Sequence, residues 1–273
     1  IDFPWHPTIL IVALLPVIYF LSALLSTPAS LSLFGYSFEV GTFGFVLLVS
    51  LFLIITSVVL SDTLEILKAL TALVVSLSLI ALFALIKIIS GAPVWGIFLG
   101  NTGNPIGNWT DLATVLGLLS ALLALIIGMI PMARALRVVS YVVFGISLFL
   151  ISILNFSSVF FFTLGASILL FIYFSKPREL LPAQPTSTRR PLILPVILGV
   201  VSLLFIINPS ISTGKKLGDV WTGVFGVNNS EIRPSFSATL DISKAVLSRG
   251  TLLGSGPNTF SRDWLIHKPT AIN

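Results

Sequence analysis

The residues best equipped for chemistry lie near the C-terminal end of this 273-residue chain. Arg233, Arg249 and Arg262 supply guanidinium forks, which match the oxygens of phosphate or carboxylate two at a time. Gly254-Ser255-Gly256 can form a turn that opens into a helix, where free backbone N–H groups favour an anion. Together they suit an oxyanion such as a lipid-linked pyrophosphate. Solvation, or pairing with Glu231 or Asp263, is the commoner role of exposed arginines and the alternative reading here. His267 stands four residues after Asp263, so it could act as a general base oriented by that carboxylate. Its other reading is an interfacial aromatic. The only histidines are His6 and His267, and there is no cysteine. No metal-ligand spacing results, and metal and cofactor are both expected to be absent. No phosphate-binding glycine loop, Ser-His-Asp arrangement or nucleic-acid motif is present, and no nucleic-acid partner is expected.

Two helices must position these groups. Pro234 suits a first helical position and Gly250 a stop. Between them Phe236, Leu240, Ile242, Val246 and Leu247 fall to one side, and Ser237, Asp241, Lys244 and Ser248 to the other. Such a helix should lie on a membrane surface or against a bundle of spans. The run Leu252–Phe260 then turns, and Asn258 or Thr259 can cap a second helix reaching about His267. Phe260, Trp264 and His267 share one of its faces.

The rest of the chain is a different material. Overall it is 56% hydrophobic and 9% charged, against about 25% charged in soluble domains. Too few polar groups exist to cover a water-facing surface, which excludes a soluble enzyme or a disordered chain. The long apolar runs indicate an all-α, polytopic transmembrane helix bundle with an extracytoplasmic amphipathic helical segment. Seven spans are expected: Thr8–Leu25, Phe43–Leu60, Ile66–Ile89, Leu112–Ile130, Val138–Leu154, Val159–Phe174 and Pro191–Ile207. The domain reading is a six-span region over 1–174, a basic Pro-rich linker over 175–190, the seventh span over 191–207, and an outer segment over 208–273.

Basic residues set the expected sidedness. Lys68, Arg134, Arg137, Lys176, Arg178, Arg189 and Arg190 mark cytoplasmic connections, whereas 26–42, 90–111 and 155–158 hold no Lys or Arg. The N-terminus is therefore expected in the cytoplasm and residues after 207 outside it. Lys87, near the outer end of the third span, is expected to snorkel outward. The run Gly100–Trp109 must turn, as a surface loop or as a re-entrant one.

The pattern Glu231-Ile232-Arg233-Pro234-Ser235-Phe236, followed by Leu253-Gly254-Ser255-Gly256-Pro257-Asn258-Thr259-Phe260, resembles the O-antigen ligase and O-antigen polymerase superfamily of bacterial membrane glycosyltransferases. The likeness covers about 30 residues plus the many-spanned context. It implies a metal-independent enzyme of the bacterial inner membrane, engaged in polysaccharide biosynthesis for the cell envelope. The implied reaction moves a glycan from an undecaprenyl-pyrophosphate carrier to a hydroxyl on a glycan, lipid or protein acceptor. Carried over, Arg233 is the catalytic residue and Gly254 and Gly256 form the turn. Arg249, Arg262 and His267 become substrate-binding candidates. The family's His-Asn-x-x-Leu segment is missing, since His267 lies in Ile266-His267-Lys268-Pro269. The chain opens without an initiator Met and ends at Asn273. The expectation is thus an N-terminal portion of a longer enzyme, inactive alone for want of its acceptor base. A lipid-glycan flippase or transporter and a non-catalytic membrane scaffold are the rival classes.

Overall fold

The computed structural model describes residues 7–36, 39–60, 62–90, 106–130, 132–175, 192–210, 214–227, 236–248 and 254–268. Every regular element among them is helical: α1 (Pro7–Leu24), α2 (Ala29–Leu33), α3 (Phe43–Val59), α4 (Thr63–Ser90), α5 (Trp109–Met129), α6 (Arg134–Leu154), α7 (Ser157–Ser175), α8 (Ile193–Ile207), α9 (Leu217–Val224), α10 (Phe236–Leu247) and α11 (Phe260–His267). A helix stands at each of the seven expected spans. Among the described residues α1, α4, α5, α6 and α7 are long and apolar enough to cross a membrane, while α3 and α8 are apolar but shorter. Their outer faces carry unburied Leu, Ile, Val and Phe along whole helices, from Leu10 and Ile11 on α1 to Phe161 and Leu169 on α7. Burying one such side chain is worth about 1.5–3 kcal/mol. A sheath of them is stable only in an apolar surrounding, which suits a membrane-embedded bundle.

The chain divides into two compact units, with the boundary inside α4 between Leu67 and Lys68. Unit 2 covers residues 68–231 and holds a core drawn from α4 to α8. Its helices meet where side chains are small. A methyl added at Gly117 would come within 3.1 Å of Val159 and Thr163, and one at Gly128 would strike the Phe174 ring. Both contacts advance along α5 and α7 together, so these two helices run in the same direction. α7 and α8 run oppositely: Phe160 stacks on Phe205, Thr163 Oγ1 lies 2.7 Å from Ser202 Oγ, and Ser167 Oγ donates to the Pro195 carbonyl beside Gly199.

Hydroxyls in these helices turn inward on their own backbone. Ser120, Ser147 and Ser202 each donate to the carbonyl four residues earlier at 2.7–2.9 Å. They therefore enter the core without an unmet donor. The Thr163–Ser202 pair contributes on the order of 0.6 kcal/mol, the average for such bonds in membranes. Close packing at Gly199, Leu198 and the Phe160–Phe205 stack is the larger holding term.

One end of unit 2 is closed by α9. α6 and α8 each finish on an asparagine in the left-handed conformation, Asn155 (φ 52°) and Asn208 (φ 44°). The Asn208 side-chain oxygen accepts the Gly218 N–H at 2.9 Å, and the Asn155 amide lies against the Gly218 Cα. Trp221 and Phe225 then meet Phe149 edge-on. The end of α6 and the end of α8 thus stand at the same end of the bundle. α9 has its signal in Leu217, Trp221 and Phe225 at four-residue spacing, and α2 has none beyond its length.

The expectation for Lys87 is corrected. Its side chain is 6% exposed, with the ammonium 5.5 Å from the Trp109 ring centroid. A cation over an indole face is favourable where water is scarce, so the lysine turns inward to Trp109 rather than outward. Asn108 N donates to Asp111 Oδ2 at 3.1 Å and starts α5 there. Of the loop expected over Gly100–Trp109, residues 100–105 lie outside the described residues.

Gly218→Ala is expected to lower stability by about 1–3 kcal/mol, because its methyl overlaps the Asn155 side chain. The double variant Asn155→Gly, Gly218→Ala should recover most of that loss, since glycine accepts the left-handed conformation at 155. Thermal unfolding in detergent micelles compares the three proteins.

Candidate functional site

The candidate site belongs to unit 1, residues 1–67 and 232–273. α1 and α3 pack antiparallel, with the Phe20 ring near the end of α1 tilted against Phe43 at the start of α3, centroids 5.1 Å apart. The connection between them is tightly tied. Ser26 Oγ donates to the Ala23 carbonyl at 2.9 Å and lies 2.7 Å from Ser32 Oγ on α2. α2 rests on α3 where Gly44 leaves room for the Phe34 ring. Thr42 Oγ1 accepts the Phe45 N–H and opens α3.

The Gly254–Phe260 turn closes onto this connection. Gly254, Gly256 and Asn258 all have positive φ, at 72°, 113° and 60°. A Cβ on Gly256 would stand 2.3 Å from Ser26 Cβ and 2.8 Å from Ser32 Oγ, so only glycine fits. The Asn258 amide donates to Glu39 Oε2. Gly254 has open space around it, and its glycine is required by backbone conformation alone.

Behind the turn three side chains form a polar knot. Ser255 Oγ donates to Asp263 Oδ2, Thr259 Oγ1 donates to the Gly256 carbonyl at 2.7 Å, and the two hydroxyl oxygens are 2.7 Å apart. Asp263 is 8% exposed. As a carboxylate in the first turn of α11 it also complements the helix N-terminus. Thr259 precedes the helix as expected. Its hydroxyl serves the turn, and it makes no side-chain bond to the helix N–H groups.

The sequence candidates fare differently. Arg233 and Arg249 lie outside the described residues, as do Pro234 and Gly250. Gly254 and Gly256 form the turn just described. Arg262 is exposed on α11, about 140° around the helix from His267 at 100° per residue, so the two look in different directions. His267 is half-buried in the last turn of α11. Asp263 Oδ2 accepts from Ser255 Oγ and lies 3.4 Å from Thr259 Oγ1, so the carboxylate is engaged by the turn rather than by His267. Phe260 and Trp264 do pair, with ring centroids 6.4 Å apart.

α10 refines another expectation. Its apolar side is two stripes. Ala238 and Ile242 are buried, whereas Phe236, Leu240 and Leu247 are exposed. The residues that receive the turn, Ser26, Ser32 and Glu39, escaped the sequence reading. Nothing local marks them, because their partners lie more than two hundred residues away.

No family model, curated protein or solved structure matches this chain.

Gly256→Ala and Gly254→Ala separate the two demands on glycine. At Gly254 the cost is the left-handed conformation, about 1–2 kcal/mol. At Gly256 the steric overlap with Ser26 and Ser32 adds to it, and the turn should detach. Limited proteolysis of the membrane-inserted protein is expected to cut the 249–268 region readily in Gly256→Ala and slowly in Gly254→Ala.

Proposed function

We propose that this chain is part of a membrane glycosyltransferase resembling the O-antigen ligases and polymerases. On this reading it takes a glycan from an undecaprenyl-pyrophosphate carrier at the outer face of a bacterial inner membrane. The single observation that carries the reading is the run Glu231–Phe236 followed by Leu253–Phe260 in a chain of apolar helices, its Gly-x-Gly turn docked just beyond the end of α1. A polyprenyl pyrophosphate presents its phosphates at that level, where a hydrocarbon span gives way to the polar boundary.

The chemistry follows from the groups. An acceptor hydroxyl attacks C1 of the donor sugar and loses its proton to a base. The C1–O bond to the pyrophosphate breaks, and the electron pair leaves on the phosphate oxygen. Arg233 neutralises that leaving group, which is the charge growing in the transition state. Arg249 and the exposed Arg262 are further contacts for the phosphates, and His267 contributes to substrate binding. Gly256 serves as packing: its Cα side is filled by Ser26 and Ser32, leaving the open side at Gly254 for any ligand.

All seven apolar helices cross the bilayer in this reading, with the N-terminus in the cytoplasm. Two contacts support the seven crossings. The turn meets the connection after α1, as segments on one side of the membrane must. The end of α8 likewise meets the end of α6 through Gly218. Charged residues within the apolar helices keep to their first and last two turns. A transporter coupled to ions would place them at mid-membrane.

The test is glycan transfer by the full-length protein. Arg233→Ala is expected to lower the rate by about 10²-fold or more, the loss typical of one transition-state donor. Membrane insertion and thermal stability should be unchanged. Normal transfer by Arg233→Ala would overturn the catalytic assignment and favour a scaffold.

A further inference from the structure

The exposed stripe on α10 has no use in the packing of unit 1. Phe236 is 84% exposed, and Leu240 and Leu247 lie within about 40° of it around the helix. Beside them, at about 80–140°, stand Ser237, Asp241, Lys244 and Ser248. The opposite stripe, Ala238 and Ile242, is buried, and α10 packs against α11. This helix is thus packed along one edge, with an apolar edge and a polar edge exposed.

The turn fixes its height. Gly256 is seated on Ser26 and Ser32, immediately after α1 ends at Leu24, and Asn258 is bonded to Glu39, just before α3 begins at Phe43. α1 is about 27 Å long at 1.5 Å per residue, close to a hydrocarbon thickness. Its end therefore marks the hydrocarbon boundary. The chain between Ser248 and Gly254 can reach no further than about 20 Å, and α10 packs against α11, which starts directly after the turn, so α10 is held beside that level. The connection at the same height also shows unburied apolar and aromatic side chains: Leu25, Phe34, Tyr36 and Val40. Amphipathic rings concentrate where a bilayer meets water. Lys244, Arg262 and Lys268 add positive charge suited to anionic headgroups.

We propose that α10 lies in the headgroup region of the leaflet in which α1 ends, with Phe236, Leu240 and Leu247 inserted among the lipids. The occupant of the stripe is lipid rather than another protein. The turn at Gly256 is the pin that holds the helix at that depth. This inference rests on the membrane-embedded reading of α1 and α3, and deepens it by naming the surface that the C-terminal segment binds.

The chain has no cysteine, so single-cysteine variants of the full chain need no background removal. Phe236→Cys, Leu240→Cys and Leu247→Cys would carry an environment-sensitive fluorophore in vesicles of phosphatidylcholine and phosphatidylglycerol. Ser237→Cys, Asp241→Cys and Lys244→Cys report the polar edge, and Leu14→Cys reports the middle of α1. Lipids spin-labelled near the headgroup, lipids labelled deep in the acyl chain, and aqueous iodide serve as quenchers. The expected result is that probes at 236, 240 and 247 lose more than half their emission to the shallow label and little to iodide. Probes at 237, 241 and 244 should show the reverse, and the Leu14 probe should respond to the deep label. Iodide quenching at 236, 240 and 247, or shielding from iodide and lipid alike, with a normal Leu14 response, would overturn the inference while leaving the membrane reading intact. A Leu14 probe open to iodide would overturn both.

Discussion

Close approach of backbone to side chain at glycine is the constraint on which both units depend. At Gly128, Gly199, Gly218 and Gly256 the space a methyl group would need is already occupied, and at Gly117 it is tight. The reason lies in the medium. Between helices in hydrocarbon there is no hydrophobic gain from leaving the solvent, because lipid tails are as apolar as leucine. Attraction then comes from dispersion, which decays within a fraction of an ångström of a gap. Glycine and serine let surfaces meet closely enough to collect it. The same device reappears outside the spans, where Gly256 lets a turn sit flush on two serines.

The fold was largely legible because its signal is compositional. Apolar runs of span length produced helices at all seven expected places, and charge-poor connections marked their ends. Arg134 and Arg137 marked the break between α5 and α6. Shorter elements were less visible. α9 carries a spacing of aromatics that could have revealed it, whereas the five residues of α2 carry no period at all.

The site was legible in its turn and not in its partners. Glycine, proline and asparagine in Gly254–Asn258 announce a chain reversal by their own conformational preferences. That the turn docks on Ser26, Ser32 and Glu39 depends on contacts across most of the chain, which no local pattern encodes. Lys87 misled for a related reason. A lysine near a helix end ordinarily reaches for water, but the indole of Trp109, brought up by α5, offers its positive charge a nearer partner. Asp263 and His267 have helical spacing for a contact, yet the hydroxyls of Ser255 and Thr259 reach the carboxylate through the turn.

The seat of α9 has a bearing on the order in which the molecule assembles. Its contacts join the end of α6 to a segment that follows α8, so they cannot form while synthesis has delivered only the first six helices. Loop closure over that distance costs chain entropy, which the packing of α7 against α8 helps to offset. α9 is therefore a latch that falls last in unit 2. Until it does, Phe149 lacks the edge-on contacts of Trp221 and Phe225, and the Asn208 side-chain oxygen lacks the Gly218 N–H.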